Sequence, residues 1–340
     1  MSDPGGRLPD TCTDIHEHTP VAADSRWDGW PSVARALARK RAARQVCLTR
    51  VRALAATLCI VGLNLAAATQ LSPAQADKPG LAPTLEDAQS HFYNARYKTA
   101  ADLALELRSR DPEDLANLEL RSSALLFQLK ALLEPPGERH TTSDKREKER
   151  ALKACAACPE LMAEFFKDIS QGQGLARARL KKNPHDEAAL FYLGKLDLNY
   201  VWLELGPLGR RTGWDEYWEA RRSLDAVIKE HPDHVRALVA RAWIDYIVDT
   251  KMPWGTKWVL GGGSRKRALA AVRAAADIDS DFYSHTEAEF ALWDLQVRER
   301  LTAPATELAR QLALKFPDNK ELAAFLASRE TSVPQRTQQR

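Results

Sequence analysis

Cys155-Ala156-Ala157-Cys158 is a thiol pair at a spacing that chemistry can use. Such a pair can ligate a metal, cycle between redox states or close a local disulfide. Zinc needs two further ligands, and the chain has no second cysteine pair. A c-type haem needs a histidine directly after the second cysteine, where Pro159 stands. A thioredoxin-like centre needs a strand before its helix, which this pattern does not offer. A disulfide, favoured in an oxidising compartment, and two reduced cysteines on a helix face are the readings left open. His231 and His234 flank Pro232-Asp233 without a third ligand nearby, and His185 and His285 also sit at helix junctions. No catalytic residue, metal site or cofactor is expected, and the chain reads as a non-enzyme.

Gly261-Gly262-Gly263 lead into Ser264 and the basic run Arg265-Lys266-Arg267. Free N–H groups at a helix start favour an anion. The run lacks either glycine frame that cradles a nucleotide after a strand. It reads as a flexible entry capped by Ser264, with binding of phosphate, sulfate or carboxylate as the alternative. Seven of the nine tryptophans fall between 202 and 293. Trp214, Trp218, Trp243 and Trp293 lie in or at the start of helical runs and are expected in the core. Trp202, Trp254 and Trp258 lie in or beside two insertions, 201–214 and 247–263. With Arg210, Arg211, Lys251, Lys257 and Arg265 nearby, they form the candidate binding set, suited to an extended peptide or an amphiphilic ligand. The competing expectation is that the inserts fold back and bury their own tryptophans.

The elements that must position these residues are helices. Residues 81–114 predict a helix around Ala88 and Phe92, a turn, and a second helix around Tyr97, Ala100, Ala104 and Leu107, stopped by Pro112. Small residues at 88 and 100 let two helices approach closely, and such a pair buries its apolar face only against stacked neighbours. The stop recurs at Pro184, Pro232 and Pro317, at intervals of 72, 48 and 85 residues. Proline cannot continue a helix, and the residue before it is pushed out of the helical region. A first helix runs through Leu190, Leu193 and Gly194, and its partner carries Tyr217, Ala220, Leu224 and Val227. A further pair opens with Leu238 and Ala242 and resumes at Ala268, Val272 and Ala275. The last runs through Ala291, Ala305, Ala309 and Leu312 to Pro317, before a short closing helix over 322–328. No clean repeat is legible between 115 and 174, and Pro135-Pro136-Gly137 mark a break across 134–146.

On these landmarks the region 81–330 resembles divergent, secreted bacterial tetratricopeptide-repeat proteins, and more narrowly the tetratricopeptide T component of TRAP transporters. The resemblance implies an all-α, right-handed α-α superhelix, a solenoid of about five to six helix pairs with a concave binding face. It implies no particular ligand.

Residues 53–76 carry no charge, follow Arg50 and Arg52, and end in Ala74-Gln75-Ala76. Basic, apolar, then small-x-small is a signal-peptide pattern, with cleavage near Ala76 and export to the periplasm. A retained inner-membrane anchor over 53–76 is the alternative. The expected domains are 1–45, a disordered polar tail or an untranslated extension; 46–76, the export segment; 77–330, the helical repeats; and 331–340, a disordered tail. The chain has 49 basic and 46 acidic residues, and the excess lies in 1–76. A balanced repeat region argues against nucleic acid as partner. The expected function is an exported scaffold binding a protein or peptide of the cell envelope on its concave face. The alternatives are a transport component holding a small apolar or anionic ligand in the Trp-rich inserts, and a membrane-anchored assembly factor.

Overall fold

The structure, a computed structural model, describes residues 82–133, 145–210, 212–252, 254–257 and 259–330. The expectations for 1–45, 46–76 and 331–340, most of the 134–146 break, and the candidates Arg211 and Trp258 lie outside them, as does the side chain of Trp254.

Among the described residues the secondary structure is helical, without strand. The helices are α1 (Leu85–Tyr93), α2 (Tyr97–Arg110), α3 (Leu115–Leu133), α4 (Lys145–Ala154), α5 (Cys158–Lys182), α6 (Glu187–Leu205) and α7 (Trp214–Glu230). They continue with α8 (Val235–Lys251), the single-turn α9 (Trp254–Lys257), α10 (Arg265–Ala276), α11 (Phe282–Arg298), α12 (Thr302–Lys315) and α13 (Lys320–Glu330). Local chemistry sets their ends. Thr84 and Asp87 form a reciprocal capping box at α1, and Asp186, His234, Ser264 and Asp281 cap α6, α8, α10 and α11 through their side chains. The residue before each stop proline leaves the helical region, with ψ of 89° at Asp111, 98° at Asn183, 76° at His231 and 70° at Phe316.

The helices form two layers. α1, α3, α6, α8 and α11 pack on one another in succession, and α2, α5, α7, α10 and α12 bridge between them. Small residues set the spacing: Ala88, Ala100 and Ala104 are fully buried where α1 meets α2. A Cβ on Gly194 of α6 would come within 2.7 Å of Leu224 on α7, so only glycine allows that approach. Fully buried leucines at 115, 118, 125, 129, 193, 196 and 203 line the seams, each stabilising by about 2 kcal/mol. The unreadable stretch between 115 and 174 has a simple cause. The partner of α3 is α5, and the short α4 is interposed between them. Arg121 of α3 and Arg108 of α2 both clamp the buried Asp168 of α5.

The array closes on itself. Tyr93 stacks against Tyr283 and Phe290 and packs at a tilt against Phe316, joining the first helix to the last ones. The Tyr283 hydroxyl donates to Glu86 O at 2.8 Å, and Asn319 Nδ2 donates to Tyr93 O at 2.8 Å. Tyr97 donates to Glu321 at 3.0 Å, and Arg96 pairs with Asp318. The first helices therefore form the inner layer of a closed curve.

Candidate functional site

The inner layer presents two contrasting zones. At one, α3, α6, α8 and α11 bring Glu119, Lys195, Arg236 and Glu287 together. Lys195 Nζ lies 2.6 Å from Glu287 and 3.5 Å from Glu119, and Arg236 reaches Glu287 at 2.6 Å and Glu119 at 3.0 Å. All four side chains are largely buried. Burial opposes the Glu287 charge, but Lys195 and Arg236 outweigh it and hold the carboxyl down to about 2. Burial pushes the neighbouring Tyr93 and Tyr192 hydroxyls up, keeping them neutral. Asn199 adds hydrogen bonds of 3.0 Å to Ser122 and Ser123. This zone satisfies its own charges and fills part of the concave face that the sequence leaves open for a partner.

The second zone follows the C-terminal ends of α6, α8 and α11. Trp202 packs edge-on against Trp243 at 5.3 Å, and Trp243 against Tyr246 at 5.6 Å. The Arg298 guanidinium lies 5.6 Å from the Trp202 ring and 5.5 Å from the Trp243 ring, and forks onto Asp294 at 3.0 and 3.1 Å. Both indoles are half-buried, as is Phe127 of α3, over which Lys130 sits at 5.2 Å. Tyr246 donates to Glu299 at 3.0 Å, and burial with that contact raises its hydroxyl well above the ordinary value. Glu299 lies 3.9 Å from Arg265, whose N–H donates to Asp249 at 3.0 Å. Lys257 Nζ donates to the same Asp249 through its main-chain and side-chain oxygens, at 2.6 and 3.0 Å. Burial opposes the Asp249 charge, yet these donors hold its carboxyl below the usual value.

The predicted residues Trp202, Lys257 and Arg265 are thus joined through Trp243, Tyr246, Asp249, Arg298 and Glu299, which the sequence reading did not assign to the site. Trp243 is expected in the core from its place within a repeat helix, and the structure leaves it half-buried. Asp294 and Arg298 stand at i,i+4, a spacing legible as a helix-face pair. Arg210 stands apart, about half exposed and 3.5 Å from Glu204.

The inserts are shorter than expected, because α6 runs on to Leu205 and α8 to Lys251. Their residues meet at an apolar crevice lined by Val201, Leu205, Trp214, Met252 and Leu260 among others, with room for about one water molecule. Tyr217 and Arg221 donate to Leu260 O at 2.7 and 2.6 Å and pin the second insert. Gly261 adopts φ +79°, with the Arg221 guanidinium 2.6 Å from where its Cβ would stand. Ser264 caps α10 as expected, and Asp249 supplies the carboxylate at that helix start, so the protein itself occupies the position considered for an anion. Trp293 is buried, whereas Trp214, expected in the core, is 41% exposed as the first residue of α7. Cys155 and Cys158 are joined by a disulfide between the end of α4 and the start of α5, with Cys158 fully buried. Among the described residues, no three His, Cys, Asp or Glu side chains are grouped to hold a metal, and no helix is long and apolar enough to cross a membrane.

No family model matches the chain, and no curated protein matches it. Among solved structures, it is similar to a thermophilic tetratricopeptide-repeat protein of Thermus thermophilus. The match has 13% identity and a TM-score of 0.40, and covers 73% of this chain and 97% of that one.

Proposed function

We propose that this chain is a non-catalytic helical scaffold that binds an extended protein or peptide segment on its inner helices, at the aromatic end. The observation that carries this reading is the half-buried Trp202–Trp243 pair capped by Arg298, contributed by three successive inner helices. Aromatic and arginine side chains at a rigid surface are the types that carry binding energy in protein interfaces. The charged zone beside it leaves no comparable apolar surface, so the partner would engage one end of the inner face rather than its whole length. A ligand carrier would hold its cargo between the inserts, and the crevice among their described residues has room for about one water molecule. The uncharged stretch 53–76 supports an envelope location for the partner.

The test is selection of binding peptides from a displayed library against the full chain, followed by affinity measurements on variants. Trp243→Leu is expected to weaken selected peptides by roughly tenfold or more. Leu314→Ser, an exposed change on α12, is expected to leave them unaffected. Peptides that bind the Trp243→Leu variant with undiminished affinity would place the binding surface elsewhere.

A further inference from the structure

We propose that the crest formed by the two inserts is a docking surface for an anionic lipid bilayer. Trp214 and Val259 are 41% and 55% exposed. Trp214 lines the crevice where the inserts meet, and Val259 adjoins Leu260 of its wall. Leu205 and Met252 beside them are half-buried. These apolar side chains are presented on a held framework. Tyr217 and Arg221 fix Leu260, and Lys257 fixes the second insert to Asp249. A tryptophan with one apolar end and one polar N–H suits the boundary between water and acyl chains.

The charge around the crest matches such a surface. Segments 201–216 and 247–267 contain seven basic and four acidic residues. Of the acids, Glu204 is buried and Asp249 is engaged by Lys257 and Arg265. Asp215 is exposed and Glu216 half-buried, against exposed Lys251, Lys266 and Arg267 and the exposed but paired Arg210 and Arg265. A net basic surface with exposed apolar side chains is attracted to anionic headgroups. The crevice between the inserts holds about one water molecule, so it would not seat a large anchoring side chain of a protein partner. A bilayer requires no pocket. The uncharged stretch 53–76 offers a second membrane signal in the same chain, and durable anchoring commonly combines two signals.

The experiment mixes the full chain with vesicles of phosphatidylcholine alone, or of phosphatidylcholine with phosphatidylglycerol, each containing a photoreactive phospholipid. Labelled peptides are then mapped by mass spectrometry. The expected result is label within 205–221 and 252–264 on anionic vesicles, beyond any label in 46–76. Trp214→Ser with Val259→Ser should remove the crest label while label in 46–76 persists. Lys266→Gln should reduce crest labelling roughly fivefold, and added salt should reduce it further. Label confined to 46–76, or equal crest label on neutral and anionic vesicles, would overturn the proposal. The peptide-binding reading rests on other residues and survives either result.

Discussion

The two zones of the inner layer are built from the same helices and differ in how they treat exposure. Toward the N-terminal part of α8, Arg236 and its partners close on one another until none needs water. Seven residues further along α8, Trp243 remains half-buried, with Arg298 laid across it. The first zone spends its chemistry on joining α3, α6, α8 and α11 into a closed array. The second is left with aromatic area and one oriented cation, the material of a binding surface. In a curved helical array, closure and recognition compete for the same inner positions, and here they divide along the helix axis.

The sharpest way to break this comparison is to remove one carboxylate from the closed zone. Glu287→Ala leaves Lys195 and Arg236 buried and sharing Glu119 alone. Breaking a buried ion pair from one side costs about 3–5 kcal/mol, and chemical denaturation should show a loss of that size. A loss below about 1 kcal/mol would mean that the cluster does not hold the ends together. Peptide affinity should then fall only through the fraction of chain unfolded.

A second test compares carboxylates on opposite faces of the inner layer. Glu287 is paired with cations, and its carboxyl lies at about 2 against an ordinary 4.5. A lowered acid contributes stability above the unfolded value and loses it as pH falls, here from about 4.5 toward 2. Asp197 on α6 is buried too. Burial first, then Glu219, push it up from 3.8 to about 8, while Gln173 donates to it at 2.7 Å. Its sign is opposite. The folded chain holds a proton there that the unfolded chain releases, so stability falls as pH rises from about 4 to 8. Asp197→Asn should flatten that limb and raise stability at pH 8 by a few kcal/mol, with little change near pH 4. Denaturation midpoints against pH, measured for both variants, check the two limbs separately. Equal slopes for wild type and Asp197→Asn between pH 4 and 8 would contradict the assignment.

Within the aromatic zone the expected energies are smaller. A double-mutant cycle of Trp202→Leu and Trp243→Leu should give a coupling of about 1 kcal/mol in stability. Additive losses would show that the two indoles contribute independently, and that the zone is a set of separate contacts rather than one platform.

How much of this was legible depends on the range of each interaction. The helix ends were readable because proline acts on its own neighbour, which is why Asp111, Asn183, His231 and Phe316 all leave the helical region. The close approaches at Ala88, Ala100 and Gly194 were readable because small residues stand out at helical spacing. The ionic cluster was not. Glu119 and Glu287 are far apart in sequence, each is followed by ordinary helix-face residues, and nothing local marks them as partners. The aromatic zone lay between these cases. Trp202 drew notice through the insert beside it, but Trp243 looked like core because it falls within a repeat helix, and nothing local marks Arg298 of α11 as its neighbour. The Gly261–Gly263 entry was legible as a helix start capped by Ser264, but the carboxylate that meets that start was not. That carboxylate comes from Asp249 on α8, two helices earlier.

The smallest expected effect is the most specific to the second zone. Arg298→Lys keeps the positive charge and loses the planar fork that meets both Asp294 and the two indole faces. Partly exposed pairs of this kind contribute little to folding, so the stability change should stay below about 1 kcal/mol. Peptide affinity should fall more, by roughly fivefold, because a lysine ammonium presents no flat face for the partner to stack on. The acid limb assigned to Glu287 should not move, since that carboxyl answers to Lys195 and Arg236. Affinity unchanged in the Arg298→Lys variant would reduce Arg298 to a strut between Asp294 and the tryptophans. A shift of the acid limb in the same variant would show that the two zones are coupled, and the division between closure and recognition would fail.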